Sequence, residues 1–190
     1  DGRWYYTMKE VKAYPLNKAI LALHENSTQG QWQPTKEGWN FRRLIEVFRK
    51  VCEAVAYAHG RSVIHRDLKP ENVVCGPHGE VLVVDWGIAK VKGSTELPQE
   101  ELVITNRSAK GIHATRFGQV AGTPAYMAPE QAKGEIHHID ARTDVYALGA
   151  ILYEILSGHP PFLGASSKHV LQKVLYGPPV SLRTPTSSSN

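Results

Sequence analysis

Residues 63–74, VIHRDLKPENVV, place a run of polar and charged side chains between two pairs of β-branched residues. The run carries six such side chains: His65, Arg66, Asp67, Lys69, Glu71 and Asn72. Carboxylate, ammonium, imidazole and amide groups gathered this closely are the equipment of acid–base and metal-assisted chemistry, and a simple turn needs far less. The sequence therefore predicts a reactive site centred on this stretch.

A predicted hairpin brings a second carboxylate to the same place. The letters GPHGE, residues 76–80, predict a turn, and VLVVDW, residues 81–86, predicts a buried strand after it. Because short strands flank the turn, residues 65–72 are expected to form a loop beside them. A hairpin of this size can bring Asp67 and Asp85 to one site.

The rest of the chain is mainly helical by pattern. Helical spacing covers residues 16–25, 41–59, 141–156 and 166–175, and a strand pattern covers residues 4–11. Pro15 is expected to end that strand, Asn40 to cap the second helix and Gly60 to end it, and Gly158 to close the long apolar helix. Residues 91–120 are polar with little periodicity, which predicts a long loop of the kind that is usually functional or disordered.

Residues 65–72, HRDLKPEN, match the catalytic-loop pattern H-R-D-L-x-x-x-N of protein kinases letter for letter. With three further motifs, the chain resembles the C-terminal lobe of a eukaryotic-type (Hanks-type) protein kinase, most similar to the bacterial serine/threonine kinases. The resemblance implies that Asp67 accepts the proton of the substrate hydroxyl, that Asn72 holds a magnesium ion and that Lys69 contacts the γ-phosphate of ATP. A Lys at this position resembles the serine/threonine kinases rather than the tyrosine kinases.

The second motif is VVDWGIAK, which resembles the Asp-Phe-Gly segment of the family. Asp85 and Gly87 match, and the resemblance makes Asp85 the ligand of the bridging magnesium ion. Trp86 replaces the usual Phe, so its ring N–H needs a partner if it is buried, and the usual packing switch of the Phe is in doubt.

The third and fourth motifs follow in the family's order. Residues 128–130 match A-P-E, ending in Glu130, and Thr123 resembles the threonine that bonds the catalytic Asp and Lys. Asp144 resembles the Asp at the start of the central helix that anchors the catalytic-loop backbone. In the same comparison, His65 is a packed structural residue rather than an acid or base.

The first residues resemble the strand that leads into the hinge between the two kinase lobes. Met8 would then be the gatekeeper, the backbone at Lys9 and Val11 would bond adenine, and Val74 would pack beneath the adenine ring. An ordinary edge strand remains an alternative for this segment.

The resemblance also divides the chain into parts of a partial kinase domain over residues 1–190. These are a hinge strand and linker (1–14), helices and catalytic loop (15–84), an activation segment (85–130), central and following helices (131–180) and a frayed tail (181–190). No Gly-rich loop, V-A-I-K Lys or partner Glu precedes the hinge, so we expect a fragment without its N-lobe, inactive by itself. The Arg that pairs with Glu130 in the family is also expected to be missing.

The predicted activation segment offers hydroxyl groups for regulation. Arg66, directly before Asp67, resembles the Arg of kinases that are switched on by loop phosphorylation. Thr115 is the best candidate for that modification, with Thr105 and Ser108 behind it. The alternative is that all three are ordinary loop hydroxyls, and it weighs more for Thr105 and Ser108 than for Thr115.

Composition excludes several other classes of function. The net charge is +4, with Lys and Arg spread along the chain, so nothing indicates nucleic-acid binding. Cys52 and Cys75 are too few for a disulfide framework and are expected to be buried and reduced, which favours a cytoplasmic setting. The longest apolar run, which contains Glu154, is too short to span a membrane. His137 and His138 do not match zinc spacing.

We therefore expect an α+β protein-kinase-like fold, mainly a helical C-lobe with a small β-hairpin at the catalytic loop. The expected activity is transfer of the ATP γ-phosphate to Ser or Thr of a protein substrate, with ATP and Mg²⁺ as cofactors. A dimer could serve autophosphorylation, and a membrane anchor could lie in regions beyond this segment. One alternative is a catalytically dead, pseudokinase-like scaffold; a kinase of small molecules is a weaker one.

Overall fold

The computed structural model describes residues 13–27, 31–86, 90–91 and 124–182, with residues 90–91 described as backbone only. Five strands and five α-helices lie in these residues: β1 (Tyr14–Pro15), α1 (Leu16–Asn26), α2 (Phe41–His59), β2 (Val63–Ile64), β3 (Val73–Cys75), β4 (Val81–Val83), β5 (Lys90–Val91), α3 (Pro129–Ala132), α4 (Ala141–Ser157) and α5 (Ser167–Tyr176). All four predicted helices are confirmed, with their ends shifted by no more than one residue.

Helix α2 follows its apolar spacing from end to end. The Asn40 side chain accepts a hydrogen bond from Arg43 N at 2.9 Å, and the helix ends at Gly60, as predicted. Its buried face consists of Leu44, Val47, Val51, Val55 and Ala58. Cys75 is buried, but the predicted burial of Cys52 is wrong, because Cys52 lies at the border of this face and is only half-buried.

Two small antiparallel sheets frame the catalytic-loop sequence. The first has the order β1-β3-β4, and the second pairs β2 with β5. The prediction of a buried strand over residues 81–86 is wrong in both length and burial, because β4 spans three residues and Leu82 is 44% exposed. Since β4 is the edge strand and successive side chains alternate between faces, only one face of it meets the protein interior.

Helix α4 runs through the core and is closed at both ends as its sequence requires. Asp140 accepts a hydrogen bond from Arg142 N at 2.8 Å at the first turn. Gly158 ends the helix with a φ of 79°, and a Cβ at this position would lie 2.7 Å from His24 Nδ1. A glycine is therefore required here both by the left-handed backbone and by the close approach of α1.

The main core joins α1, α2 and α4 to the catalytic-loop region. Its fully buried members include Leu16 and Ile20 of α1, Val51 of α2 and Ile151 of α4, all at 1% exposure or less. Leu68, between Asp67 and Lys69, belongs to the same core, so its buried side chain holds the catalytic loop against the core. No helix within the described part of the chain combines the length and apolar character that crossing a membrane demands.

Candidate active site

The catalytic-loop sequence folds back on itself between β2 and β3. Lys69 Nζ donates to Asp67 Oδ2 at 2.8 Å, and both side chains are largely shielded from solvent. Asn72 Nδ2 donates to the backbone carbonyl of Asp67 at 2.8 Å and lies 3.3 Å from Asp67 Oδ2. These bonds use the amide nitrogen of Asn72, so its carbonyl oxygen is the atom that could ligate a metal ion.

The β3–β4 hairpin brings Asp85 to the same place. The backbone N–H of Val84 donates to the carbonyl of Asn72 at 2.8 Å, which extends the pairing of the two strands by one step. Asp85 follows at once, with an exposed side chain and a φ of 67°. The two predicted metal ligands therefore lie at one end of the hairpin. Both offer oxygen donors, which suit Mg²⁺, an ion that commonly takes one or two carboxylates together with phosphate oxygens.

Trp86 has the partner that its ring N–H requires. Nε1 donates to the carbonyl of Val83 at 2.9 Å, and the ring packs against His65 with 4.5 Å between centroids. The substitution of Trp for Phe therefore adds a hydrogen bond that a Phe side chain lacks. This bond ties the residue after Asp85 back to β4.

His65 is fully buried and joins the catalytic loop to the hairpin. Its Nδ1 accepts a hydrogen bond from Asp67 N at 3.2 Å, and its Nε2 donates to the carbonyl of Val84 at 3.1 Å. Burial lowers the pKa of His65, partly offset by the carbonyl and by nearby carboxylates. The neutral ring with the proton on Nε2 satisfies both bonds, so His65 holds Asp67 and the strand before Asp85 in register.

Asp144 of α4 fastens the loop from the opposite side. Its carboxylate accepts hydrogen bonds from His65 N at 2.8 Å and from Arg66 N at 2.9 Å. His59 Nε2 lies 2.7 Å from Asp144 Oδ2, and the Asp144 side chain is 1% exposed. His59 is the last residue of α2, where a basic side chain complements the helix dipole. The sequence gives no signal for its contact with Asp144, which lies 85 residues away.

Two side chains hold the segment after Thr123, one through a bond to α4 and one through a bond to the catalytic loop. Glu130 accepts a hydrogen bond from Thr143 Oγ1 of α4 at 2.6 Å. Gln131 Nε2 donates to the carbonyl of Arg66 at 2.7 Å, and its Oε1 accepts from Ala128 N at 3.2 Å. The Gln131 amide thus bridges the A-P-E segment and the catalytic loop.

A buried hydrogen-bonded pair, Tyr126 and Glu154, joins the same segment to α4. Tyr126 donates to Glu154 Oε2 at 2.5 Å, and both side chains are less than 10% exposed. Burial raises the pKa of Glu154, and burial beside this carboxylate raises the pKa of Tyr126 as well. Sequence reasoning singled out neither this pair nor Gln131.

Comparison with known proteins agrees with this arrangement. The profile of the protein kinase domain matches residues 23–188. The chain belongs to the protein kinase domain family. This match and the relatives named below together confirm its resemblance to the bacterial serine/threonine kinases, and the helices with a small antiparallel sheet are consistent with that fold.

Named serine/threonine kinases of bacteria are similar to this kinase-domain chain. It is 42% identical over 160 residues to the serine/threonine-protein kinase PknD of Protochlamydia amoebophila, covering 83% of this chain and 16% of that protein. It is 32% identical over 183 residues to PknD of Chlamydia trachomatis serovar L2b, covering 94% of this chain and 19% of that protein. It is 42% identical over 125 residues to PknB of Mycolicibacterium smegmatis, covering 66% of this chain and 17% of that protein. The chain spans between 16% and 19% of the length of these curated relatives.

The remaining predicted site residues of this kinase domain divide into two groups. Val74 lies half-buried in β3, opposite Leu82 of β4 and Pro15 of β1. Outside the described residues lie Met8, Lys9, Val11, Gly87, Thr115 and Thr123, and also Thr105 and Ser108.

Proposed function

We propose that this chain carries the catalytic loop and the metal ligands of a protein serine/threonine kinase. The proposal rests on one observation: Lys69 and Asn72 both contact the carboxylate of Asp67. The β3–β4 hairpin brings Asp85 to the same end of the hairpin. The names of the similar kinases support Ser or Thr as the acceptor. Protein substrate, ATP and a possible dimer for autophosphorylation belong to this proposal.

Asp67 would orient the acceptor hydroxyl and receive its proton. The hydroxyl oxygen of Ser or Thr forms a bond to the γ-phosphorus of ATP while the bond from that phosphorus to the β–γ bridging oxygen breaks, and ADP leaves. Lys69, held 2.8 Å from the Asp67 carboxylate, places a positive charge where the transferred phosphoryl group gains negative charge.

A magnesium ion bound here would supply charge neutralisation on the β- and γ-phosphate oxygens. Asn72, through its carbonyl oxygen, and Asp85 are the residues that would hold it. The hydrogen bonds of Asp144 and His65 fix the backbone that carries Asp67. Little conformational entropy is therefore lost when the Asp67 carboxylate is oriented for the reaction.

We further propose that the chain forms the mainly helical C-lobe, with the divisions at residues 14, 84, 130 and 180 given above. Met8, Lys9, Val11 and Val74 would then line the adenine site. Thr123 would bond Asp67 and Lys69, and a phosphate on Thr115 would pair with Arg66. Each of these roles rests on the family resemblance.

The deciding experiment measures phosphate transfer from radiolabelled ATP to a mixture of Ser-, Thr- and Tyr-containing peptides. It uses the complete gene product that contains this chain, with Mg²⁺ and with EDTA. We expect Mg²⁺-dependent labelling of Ser or Thr that falls by about 10²-fold or more in Asp67→Asn, because the amide cannot take the proton. Asp85→Ala should lose Mg²⁺-dependent nucleotide binding.

Asp140→Asn is the matched control, since Asn caps a helix as well as Asp does and Asp140 lies outside the proposed site. Labelling of Tyr alone would contradict the acceptor class. A complete gene product that transfers no phosphate, yet binds partners equally well with and without Asp85→Ala, would favour the scaffold alternative.

A further inference from the structure

A side chain from outside the catalytic loop reaches the peptide bond that leads into Asp67. Gln131 Nε2 donates to the carbonyl of Arg66 at 2.7 Å. In a trans peptide the N–H points away from the carbonyl, and here the N–H of Asp67 donates to His65 Nδ1 at 3.2 Å. Both polar groups of the Arg66–Asp67 peptide are therefore held by side chains, one on each side.

The peptide on the other side of Asp67 is held as well. Asn72 Nδ2 donates to the Asp67 carbonyl at 2.8 Å. The planes of the two peptides that flank the Asp67 Cα atom are thus both fixed, and together they set the direction in which the carboxylate points. His65 and Asn72 belong to the catalytic loop itself, whereas Gln131 belongs to the A-P-E segment. The direction of the Asp67 side chain therefore depends on a contact that the loop cannot supply by itself.

The backbone of Arg66 needs such contacts. Its φ is 71°, in the left-handed region, which costs a residue other than glycine free energy and persists only where the surroundings hold it. Asp144 Oδ1 accepts from the N–H of Arg66 at 2.9 Å, and Gln131 holds the carbonyl. Without the Gln131 bond, the carbonyl can rotate toward an ordinary conformation. Because Asp67 follows directly, that rotation would turn its carboxylate.

Gln131 is itself held in a defined orientation. Its Oε1 accepts a hydrogen bond from Ala128 N at 3.2 Å, so the amide must present Nε2 to the Arg66 carbonyl. The side chain is 9% exposed, and the next residue, Ala132, is buried in the small core that α3 shares with α5. The donor that reaches the catalytic loop is therefore carried by a fixed part of the fold.

Phosphate transfer depends on such alignment, since a misplacement of about 1 Å can cost about 100-fold in rate. We infer that Gln131 is a positioning residue for phosphate transfer: by holding the Arg66 carbonyl, it directs the Asp67 carboxylate toward the acceptor hydroxyl. This inference rests on the proposed function of Asp67. It also makes the direction of Asp67 depend on the A-P-E segment, because the amide that holds the peptide comes from that segment.

The first test compares kcat and KM in the complete gene product, with the peptide that the wild type labels best. Gln131→Met keeps the length of the side chain but has no N–H donor for the Arg66 carbonyl. We expect kcat to fall about tenfold, whereas KM for ATP changes less than about twofold, because the proposed metal and nucleotide ligands stay in place. Thr143→Val is the matched control, since it loosens the same segment from α4 by removing the bond to Glu130. It should keep kcat within about twofold of the wild type, because the Gln131 amide remains.

Gln131→Glu separates positioning from a general loosening of the segment. A protonated carboxyl group can donate to the Arg66 carbonyl, whereas a carboxylate cannot. Measured as a ratio to the wild type at each pH, kcat of this variant should rise about threefold or more from about pH 7.5 to about pH 6, because burial shifts the pKa of a carboxyl group upward. The same ratio for Gln131→Met should stay flat. Gln131→Glu also decides the matter if Gln131→Met does not fold, as judged by circular dichroism.

Hydrogen exchange in the 190-residue chain tests the same bond without activity. The Asp67 amide should exchange about tenfold faster in Gln131→Met, and the amide of Val55, inside α2, should not change. Unchanged exchange at Asp67 would overturn the inference. So would equal falls of kcat in Gln131→Met and Thr143→Val, an unchanged kcat in Gln131→Met, or a flat pH ratio for Gln131→Glu. A wild-type product that transfers no phosphate would contradict the proposed function, and exchange at Asp67 would still decide whether Gln131 holds this peptide.

Discussion

The buried carboxylate of Asp144 offers the sharpest test of how the catalytic loop is held. It accepts two backbone hydrogen bonds, from His65 N at 2.8 Å and Arg66 N at 2.9 Å, and a third contact joins it to His59 Nε2 at 2.7 Å. The substitution Asp144→Asn preserves the shape of the side chain. It replaces one acceptor oxygen with an NH₂ group, which cannot accept a hydrogen bond.

The size of the effect follows from the lost bonds. If the remaining oxygen faces Arg66 N, the NH₂ group faces the N–H of His65 and the ring of His59, so one buried backbone donor is left unsatisfied. A hydrogen bond to a charged group is worth about 1.5–3 kcal/mol, and an unsatisfied buried donor costs about 1–3 kcal/mol. These terms overlap, and we expect Asp144→Asn to lower the free energy of unfolding by about 2–4 kcal/mol.

Urea unfolding of the 190-residue chain, followed by circular dichroism, measures this change as a lower midpoint at constant slope. Asp140→Asn is the matched control: it makes the same chemical change four residues earlier in the same helix region, where Asn still caps the helix. We expect it to cost less than about 0.5 kcal/mol. Hydrogen exchange at the amides of His65 and Arg66 should accelerate only in Asp144→Asn. Equal stability of the two variants would refute the reasoning.

Three further predictions concern the neighbouring contacts. Gln131→Glu removes the donor to the carbonyl of Arg66, so unfolding in urea should show a loss of about 1–3 kcal/mol, whereas an unchanged midpoint would contradict the bridge. Trp86→Phe should cost about 0.5–1.5 kcal/mol in the same assay, because the bond to the carbonyl of Val83 is lost; a neutral result would mean that this bond adds nothing. The pKa of the Cys75 thiol is raised to about 11 by burial, so its reaction with a thiol reagent at pH 8 should be slow and should accelerate as the pH rises toward that value. Fast reaction of Cys75 at pH 8 would contradict the burial of its thiol.

Much of the local structure could be predicted because it depends on neighbouring residues. The apolar repeat of α2, its Asn40 cap and its Gly60 end are all encoded within a few turns, and the structure confirms them. The strand prediction over 81–86 failed in extent and burial because an apolar run does not reveal which strand lies at the edge of a sheet. Cys52 was misjudged for a similar reason, since helical spacing leaves the border of a buried face uncertain by about one residue.

The sequence by itself determined the helices, the catalytic-loop motif and the family, because these are written in short-range patterns and in motif order. Only the tertiary structure decided which side chains hold that loop. His59 and Asp144 are 85 residues apart, and Gln131 lies 65 residues from the Arg66 carbonyl it binds. The bond from Lys50 Nζ to the carbonyl of Gly79, 29 residues away, likewise forms only because α2 packs beside the hairpin. Such contacts depend on the relative positions of packed elements, which residue spacing along the chain does not specify.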